Sequence, residues 1–288
     1  MTKKLWEASL YQKKNSILFS FENYISKKLN KKFNNNYQKI LDWSIKNSPE
    51  FWSSFWDFTK IKGTKSTKKI KKSKTFYKNL FLPNSKLNFA ENLLSKNNNE
   101  KAATFISEND FREERSWAKL NENTRNLAQF FKNKKIKQKD RIAAYMPNII
   151  ETVEAFIATT SVGAIWSSCS PDFGVRGVIE RFSQINPKLL FITDQYFYNG
   201  KQINILDRLP EILKAIPSIK YVVITKYPGK KFIKNKKKLK KVKIFKWTEL
   251  MKINSNKINY FNFDFEQELA ILYSSGTTGK PKCICHRT

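Results

Sequence analysis

One histidine, three cysteines and only 24 acidic residues against 55 basic ones mark this 288-residue chain by what it is short of. The histidine, His286, stands beside Cys283 and Cys285, so Cys-x-Cys-His is conceivable as a set of metal ligands. A tetrahedral site needs a fourth donor, and none lies nearby in sequence. The preferred reading puts Cys283 and Cys285 on one buried face of a strand, because side chains two apart point the same way; no metal site is expected. With Cys169 the cysteine count is odd, which suits a reducing compartment better than a disulfide framework. Long apolar runs are also missing: nothing approaches the roughly 20 residues needed to span a bilayer. The N-terminus, MTKKLWEASLYQKKNS, begins basic like a secretion signal, but Glu7 and Lys13-Lys14 interrupt any apolar region of the required length. A cytoplasmic protein without membrane contact is expected.

The shortage of acids leaves a formal net charge of +31, which on its own points to an anionic partner such as nucleic acid. Composition offers another cause. Lysine far outnumbers arginine, and Asn, Ile and Phe are abundant, as favoured A/T-rich codons would produce. The charge thickens in residues 60–78 and 230–246, both read as solvated surface loops, the second as an insertion. A nucleic-acid partner is therefore not expected, although a non-catalytic, basic polyanion-binding protein stands as the alternative of another class. Hydrophobic residues make up 40% of the chain and aromatics 14%, enough for a packed core and against wholesale disorder.

The first hundred residues are irregular and rich in Trp, Phe, Lys and Asn. Ser48-Pro49-Glu50 supplies an N-cap, a proline for the first helical position and an acid for the helix dipole. Trp52, Phe55 and Trp56 then share a face that is read as packing. A short helix is expected within LNFAENLL, residues 87–94. From Lys101 the texture changes. Strand-like runs at residues 102–106, 141–145, 163–166, 189–193 and 221–225 alternate with helical patterns. Those helices carry Leu120, Thr124, Leu127, Ala128 and Phe131, then residues 149–160, then Val178, Phe182 and Ile185, then residues 210–216. This βαβ rhythm predicts an α/β fold with a parallel sheet covered on both faces by helices, after an aromatic-rich, mostly helical cap.

Residues 272–286, LYSSGTTGKPKCICH, organise the rest. A strand-like run at residues 269–273 feeds Ser274, Ser275, Gly276, Thr277, Thr278 and Gly279, and a second short strand follows Lys280-Pro281-Lys282. Glycines let the backbone approach an anion, hydroxyls and amides donate to its oxygens, and lysine neutralises charge. It is not a Walker loop: two residues separate Gly276 from Gly279, and Pro281 follows Lys280. In parallel sheets ligands gather at the carboxyl ends of strands, where this loop is expected.

The loop resembles the signature of the adenylate-forming superfamily, [YF]-[TS]-S-G-[TS]-T-G-x-P-K, at every defined position of residues 273–282. GAIWSSCSPDFG (163–174), LNFAENLL, RFSQINPK (181–188) and YNGK (198–201) narrow the resemblance to the acetoacetate–CoA ligase (acetoacetyl-CoA synthetase) family. Acetyl-CoA or another short-chain acyl-CoA synthetase is the competing branch. The resemblance implies ATP-dependent activation of acetoacetate through an acyl-adenylate, transfer to coenzyme A, Mg²⁺ on the phosphates, and a place in ketone-body and lipid metabolism. It implies that Ser274, Ser275, Gly276, Thr277, Thr278, Gly279 and Lys282 hold the ATP phosphates, and that Lys201 meets a CoA phosphate. It also implies a cap over residues 1–100 and an adenylation domain over 101–288 that stops just after the phosphate loop. An adenine- and acyl-binding Y-G-x-T-E-type segment, a ribose-binding Asp, a hinge and a C-terminal domain with the main catalytic lysine would lie beyond residue 288. The expectation is an N-terminal fragment that does not turn over alone, with a separately encoded C-terminal half as one source of the rest. A non-catalytic scaffold derived from the enzyme is a third possibility.

Overall fold

A computed structural model describes residues 5–75, 78–108, 110–233, 242–274 and 279–288. The chain divides into two compact units, Met1–Lys86 and Leu87–Thr288.

The first unit holds α1 (Leu10–Lys14), α2 (Ile17–Leu29), α3 (Tyr37–Lys46) and α4 (Ser48–Phe58). Two-residue strands follow, β1 (Gly63–Thr64), β2 (Ile70–Lys71), β3 (Leu80–Phe81) and β4 (Lys86–Leu87), the last ending across the boundary. Helix starts follow side-chain chemistry: Ser16 accepts from the Phe19 amide and Asn36 from that of Lys39. The cap of α4 is Asn47 rather than Ser48, which is already helical, and neither side chain bonds the first turn. The aromatic stripe is also shifted. Phe21 on α2 packs against Phe51, Phe55 and Phe58 of α4, with ring centroids 5.9, 6.0 and 5.1 Å apart, over a core of Ile25, Phe33, Ile40 and Trp43. The face turned to α2 is the one shared by residues 51, 55 and 58, spaced i, i+4 and i+7, and Trp52 beside it remains substantially exposed.

The second unit contains α5 (Phe89–Leu93), the hairpin β5 (Lys101–Ile106) and β6 (Arg112–Ser116), α6 (Trp117–Asn133), β7 (Arg141–Tyr145) and α7 (Ile150–Ser161). It continues through β8 (Ile165–Cys169), α8 (Val175–Ile185), β9 (Leu189–Thr193), β10 (Gln195–Tyr198), β11 (Lys201–Asn204), α9 (Leu209–Ala215) and β12 (Tyr221–Thr225). It ends with β13 (Lys243–Lys246), α10 (Trp247–Leu250), β14 (Phe263–Asp264), β15 (Glu268–Tyr273) and β16 (Cys283–Arg287). Seven strands form one sheet in the order β13-β12-β9-β7-β8-β15-β16. Its pairings are parallel from β13 to β15, and only β16 runs antiparallel to its neighbour.

The α/β expectation therefore holds, for a physical reason. Leu189, Leu190, Phe191 and Ile192 are wholly inaccessible, the continuous apolar run that a strand buried on both faces requires. Right-handed crossovers send β7 to β8 on one side and β8 back past β7 to β9 on the other, so α7 and α8 cover opposite faces. α6 packs with α7 and α10, and α8 with α9.

Three differences from the sequence reading have clear causes. Among the described residues β5 stays out of the main sheet and pairs only with β6, since it has no buried residue and suits a two-stranded hairpin. The lysine-rich stretch read as an insertion contains an edge strand, β13, whose charged ends reach solvent while Phe245 packs on Phe130 at 5.0 Å; residues 234–241 lie outside the described residues. Cys283 and Cys285 are exposed rather than buried, because β16 is the last strand of the sheet among the described residues.

Polar groups lock the elements. Asn88 is fully buried: its Nδ2 donates to the carbonyls of Ser161 (3.0 Å) and Phe261 (2.9 Å), and its Oδ1 accepts from the Glu91 amide at the start of α5. Gly163, at φ +70°, leaves room for the Phe263 ring, which a Cβ would meet at 2.4 Å. Between β6, α6 and α7 one guanidinium, Arg115, faces Glu113 (2.8 Å), Glu151 (3.3 Å) and the fully buried Glu154 (3.1 Å). The Arg115–Glu154 approach lacks hydrogen-bond alignment, so the bond Glu154 does receive comes from Asn123 Nδ2 at 2.8 Å. Burial, then the neighbouring carboxylates, push the Glu154 carboxyl up to about 8 despite Arg115.

Candidate functional site

The signature loop leaves the carboxyl end of β15 and returns as β16, with Tyr273 opposite Cys283 and Leu272 opposite Ile284. Ser275, Gly276, Thr277 and Thr278 lie outside the described residues. The loop's two ends are described, and they are clasped. The Ser274 amide donates to the Lys282 carbonyl at 3.0 Å, and the Lys282 amide donates to Ser274 Oγ at 3.2 Å. Gly279 has φ +101°, in the region that glycine alone enters without strain, and among the described residues no atom lies within 4 Å of where a Cβ would stand. Lys280 and Lys282 are exposed, while Pro281 is buried.

The wall behind the loop is built from β8 and α8. Ser167 Oγ lies 2.8 Å from the Ile271 carbonyl and 3.0 Å from the Tyr273 hydroxyl, tying β8 to β15. Burial pushes the Tyr273 hydroxyl well above its ordinary range. Arg181 on α8 lays its guanidinium 4.0 Å over the Phe173 ring and 5.8 Å from that of Tyr273, placing a permanent cation at the loop's entrance. One turn later Gln184 Nε2 donates to the Pro281 carbonyl at 2.9 Å. The Cys169 thiol, at the end of β8, is buried, and burial pushes it up to about 12 against the pull of Arg181.

The SPDFG turn after β8 is held from β7 and from the 3₁₀ turn Leu206–Arg208. The Tyr145 hydroxyl lies 2.6 Å from the Phe173 carbonyl and 3.1 Å from that of Pro171. Arg208 Nη1 donates to the Tyr145 hydroxyl and to both carbonyls. Tyr145 ends the strand at which the chain turns to opposite sides of the sheet, where open α/β sheets bind ligands.

Lys201 lies apart from this loop, on the exposed β10–β11 hairpin, with no hydrogen bond or ion pair joining the two among the described residues. In the hairpin's turn, Asn199 (φ 50°) and Gly200 (φ 72°) aim their amides at the Glu108 carboxylate, each at 3.1 Å. The structure thus gathers Ser274, Gly279 and Lys282 at one mouth and leaves Lys201 on another element. Sequence reading missed Arg181, Gln184, Tyr145, Arg208 and Glu108. The first two stood inside the RFSQINPK stretch, but their roles depend on contacts with residues about a hundred positions away. Among the described residues no group of three or more His, Cys, Asp or Glu is placed to hold a metal ion.

The model of the AMP-binding enzyme family matches residues 93–288. The chain belongs to that family. The chain is 36% identical over 286 residues to an acetoacetyl-CoA synthetase of Xenopus tropicalis, a match covering 95% of the chain and 42% of the relative. It is 36% identical over 250 residues to acetoacetyl-coenzyme A synthetase of Rhizobium meliloti (strain 1021), covering 87% of the chain and 38% of the relative. The solved acetoacetyl-CoA synthetase from Streptomyces lividans superposes with a TM-score of 0.88 at 27% identity, over 99% of this chain and 43% of that one. The chain thus spans about two fifths of the length of these relatives. No helix among the described residues is long and apolar enough to cross a membrane.

Proposed function

We propose that this chain supplies the phosphate-binding part of an ATP-dependent acid–thiol ligase that converts acetoacetate to acetoacetyl-CoA. The observation that carries the reading is the clasped signature loop at the carboxyl end of β15, with Lys282 exposed at its mouth. The relatives' names support acetoacetate over acetate as the acid.

In the proposed reaction the acid's carboxylate attacks the α-phosphorus of ATP and pyrophosphate departs; the CoA thiol then displaces AMP. The first half needs positioning and charge stabilisation more than covalent help. Ser274, Ser275, Gly276, Thr277, Thr278 and Gly279 hold the β- and γ-phosphates through amides and hydroxyls, and Lys282 offsets the charge that builds on the leaving group. Mg²⁺ would arrive with the nucleotide and would supply further charge neutralisation on the phosphates beside Lys282. Lys201 meets a CoA phosphate on the β10–β11 hairpin. The adenine, ribose and acyl contacts, and a lysine at the adenylate, fall to polypeptide corresponding to the length of the relatives that this chain does not span. Action in a reducing cytoplasm belongs to this proposal.

Equilibrium dialysis tests the phosphate reading with the 288-residue chain. ATP and tripolyphosphate are expected to bind and AMP to bind at least about tenfold more weakly, with Lys282→Ala erasing the difference, since a charge-assisted contact is worth roughly 1.5–3 kcal/mol. Equal affinity for ATP and AMP would sink it.

A further inference from the structure

The exit arm of the loop, Lys280-Pro281-Lys282, carries the cation that the proposed function places on the phosphates, yet only one end of it is tied by the sheet. Lys282 is clasped to Ser274. Pro281 has no amide hydrogen to donate, so its carbonyl is the backbone group through which it can be held. Gln184 reaches that carbonyl from α8 at 2.9 Å.

The Gln184 amide is fully committed at this point. One Nε2 hydrogen goes to the Pro281 carbonyl and the other to the Glu180 carbonyl of its own helix, at 2.8 Å. Its Oε1 receives the Cys283 thiol, with sulfur 3.7 Å away. Two carbonyls on one side and a thiol donor on the other fix which way the amide faces. α8 therefore touches the loop twice: Arg181 at Tyr273, where the loop begins, and Gln184 at Pro281, where it ends.

We propose that Gln184 is a positioning residue for the phosphate loop, pinning the exit arm and hence Lys282 to α8, with the Cys283 thiol completing the pin. The inference deepens the phosphate-binding reading and rests on it, but the pin itself can be measured without ligand.

The three cysteines make the measurement possible. Cys283 is in the pin, Cys285 is exposed on the same strand outside it, and Cys169 is buried. Alkylation by N-ethylmaleimide, followed by mass per peptide, gives the Cys283/Cys285 rate ratio, with Cys169 labelling as the signal of an opened fold. In ligand-free Gln184→Ala the ratio is expected to rise about threefold or more while Cys169 stays unlabelled, as loss of one weak hydrogen bond and its neighbours implies. Gln184→Met, of similar length but with neither the amide donor nor the oxygen that accepts the Cys283 thiol, is expected to behave alike and provides the measurement should the alanine variant label Cys169. The dissociation constant for ATP is expected to rise about fivefold or more in both variants. An unchanged Cys283/Cys285 ratio overturns the pin. A raised ratio with unaltered ATP affinity overturns the positioning role. A wild-type chain without affinity for ATP or tripolyphosphate overturns the phosphate reading and the positioning role together, while the ligand-free ratio still decides whether the pin exists.

Discussion

Glu154 shows how much one side chain can carry in this fold. It is fully buried on α7, faces Arg115 without aligned bonding, and has an Oε2 atom with no hydrogen-bond partner. Its carboxyl is raised in the folded state from the usual 4.5 to about 8. Between those values the folded protein keeps a proton that the unfolded chain has released, so this group's contribution to stability is greatest below pH 4.5 and falls as pH rises towards 8. Glu154→Gln keeps the size and an acceptor for Asn123 but cannot ionise. Urea unfolding at several values between pH 5 and 8.5 should show the variant matching the parent at the acid end and exceeding it at the alkaline end; parallel curves would refute this account. Nothing in the sequence marks Glu154, since a glutamate on a helix reads as surface until β6 brings Arg115 to it.

At the scale of elements, what was legible depended on how many faces an element buries. β7, β9 and β12 run over the residues expected, because strands enclosed on both sides must be apolar throughout and their ends are marked by polar turns. β6, β10, β11 and β13 were not anticipated; they are short, alternate in burial or carry lysine, and pairing rather than composition makes them strands. The misplacement of Cys283 and Cys285 has the same root: alternation put them on one face but could not say what lies over it. The phosphate loop was readable as a motif, whereas Arg181 and Gln184 were not, since no local pattern encodes contact with a strand so distant in sequence. Among connecting residues Asn88 is the one whose loss should cost most. Asn88→Ala removes two donors and a helix cap at a fully buried position and strands the Ser161 and Phe261 carbonyls. A loss of about 2–3 kcal/mol is expected by urea unfolding, and a loss below about 0.5 kcal/mol would show that those carbonyls find other partners.

For the whole molecule, charge and sheet topology act against each other. A net charge of +31 keeps copies apart through repulsion that reaches only about 8 Å at physiological ionic strength. Among the described residues the sheet ends in β16, whose five residues are all exposed, with Ile284 opposite the half-exposed Leu272. The outer edge of that strand offers backbone amides and carbonyls to any extended segment that comes within reach. One salt titration of the 288-residue chain reads both effects. Binding to nucleic acid should be weak and disappear by about 150 mM salt, as expected for composition rather than a built site. Tight binding at that salt would restore the polyanion reading. Over the same range light scattering should rise, because screening removes the repulsion while leaving the open ladder in place. On that outcome the lysine excess acts as a solubility device: the charge that looks like a ligand-binding feature restrains a strand left uncovered among the described residues from seeding a β-sheet between copies.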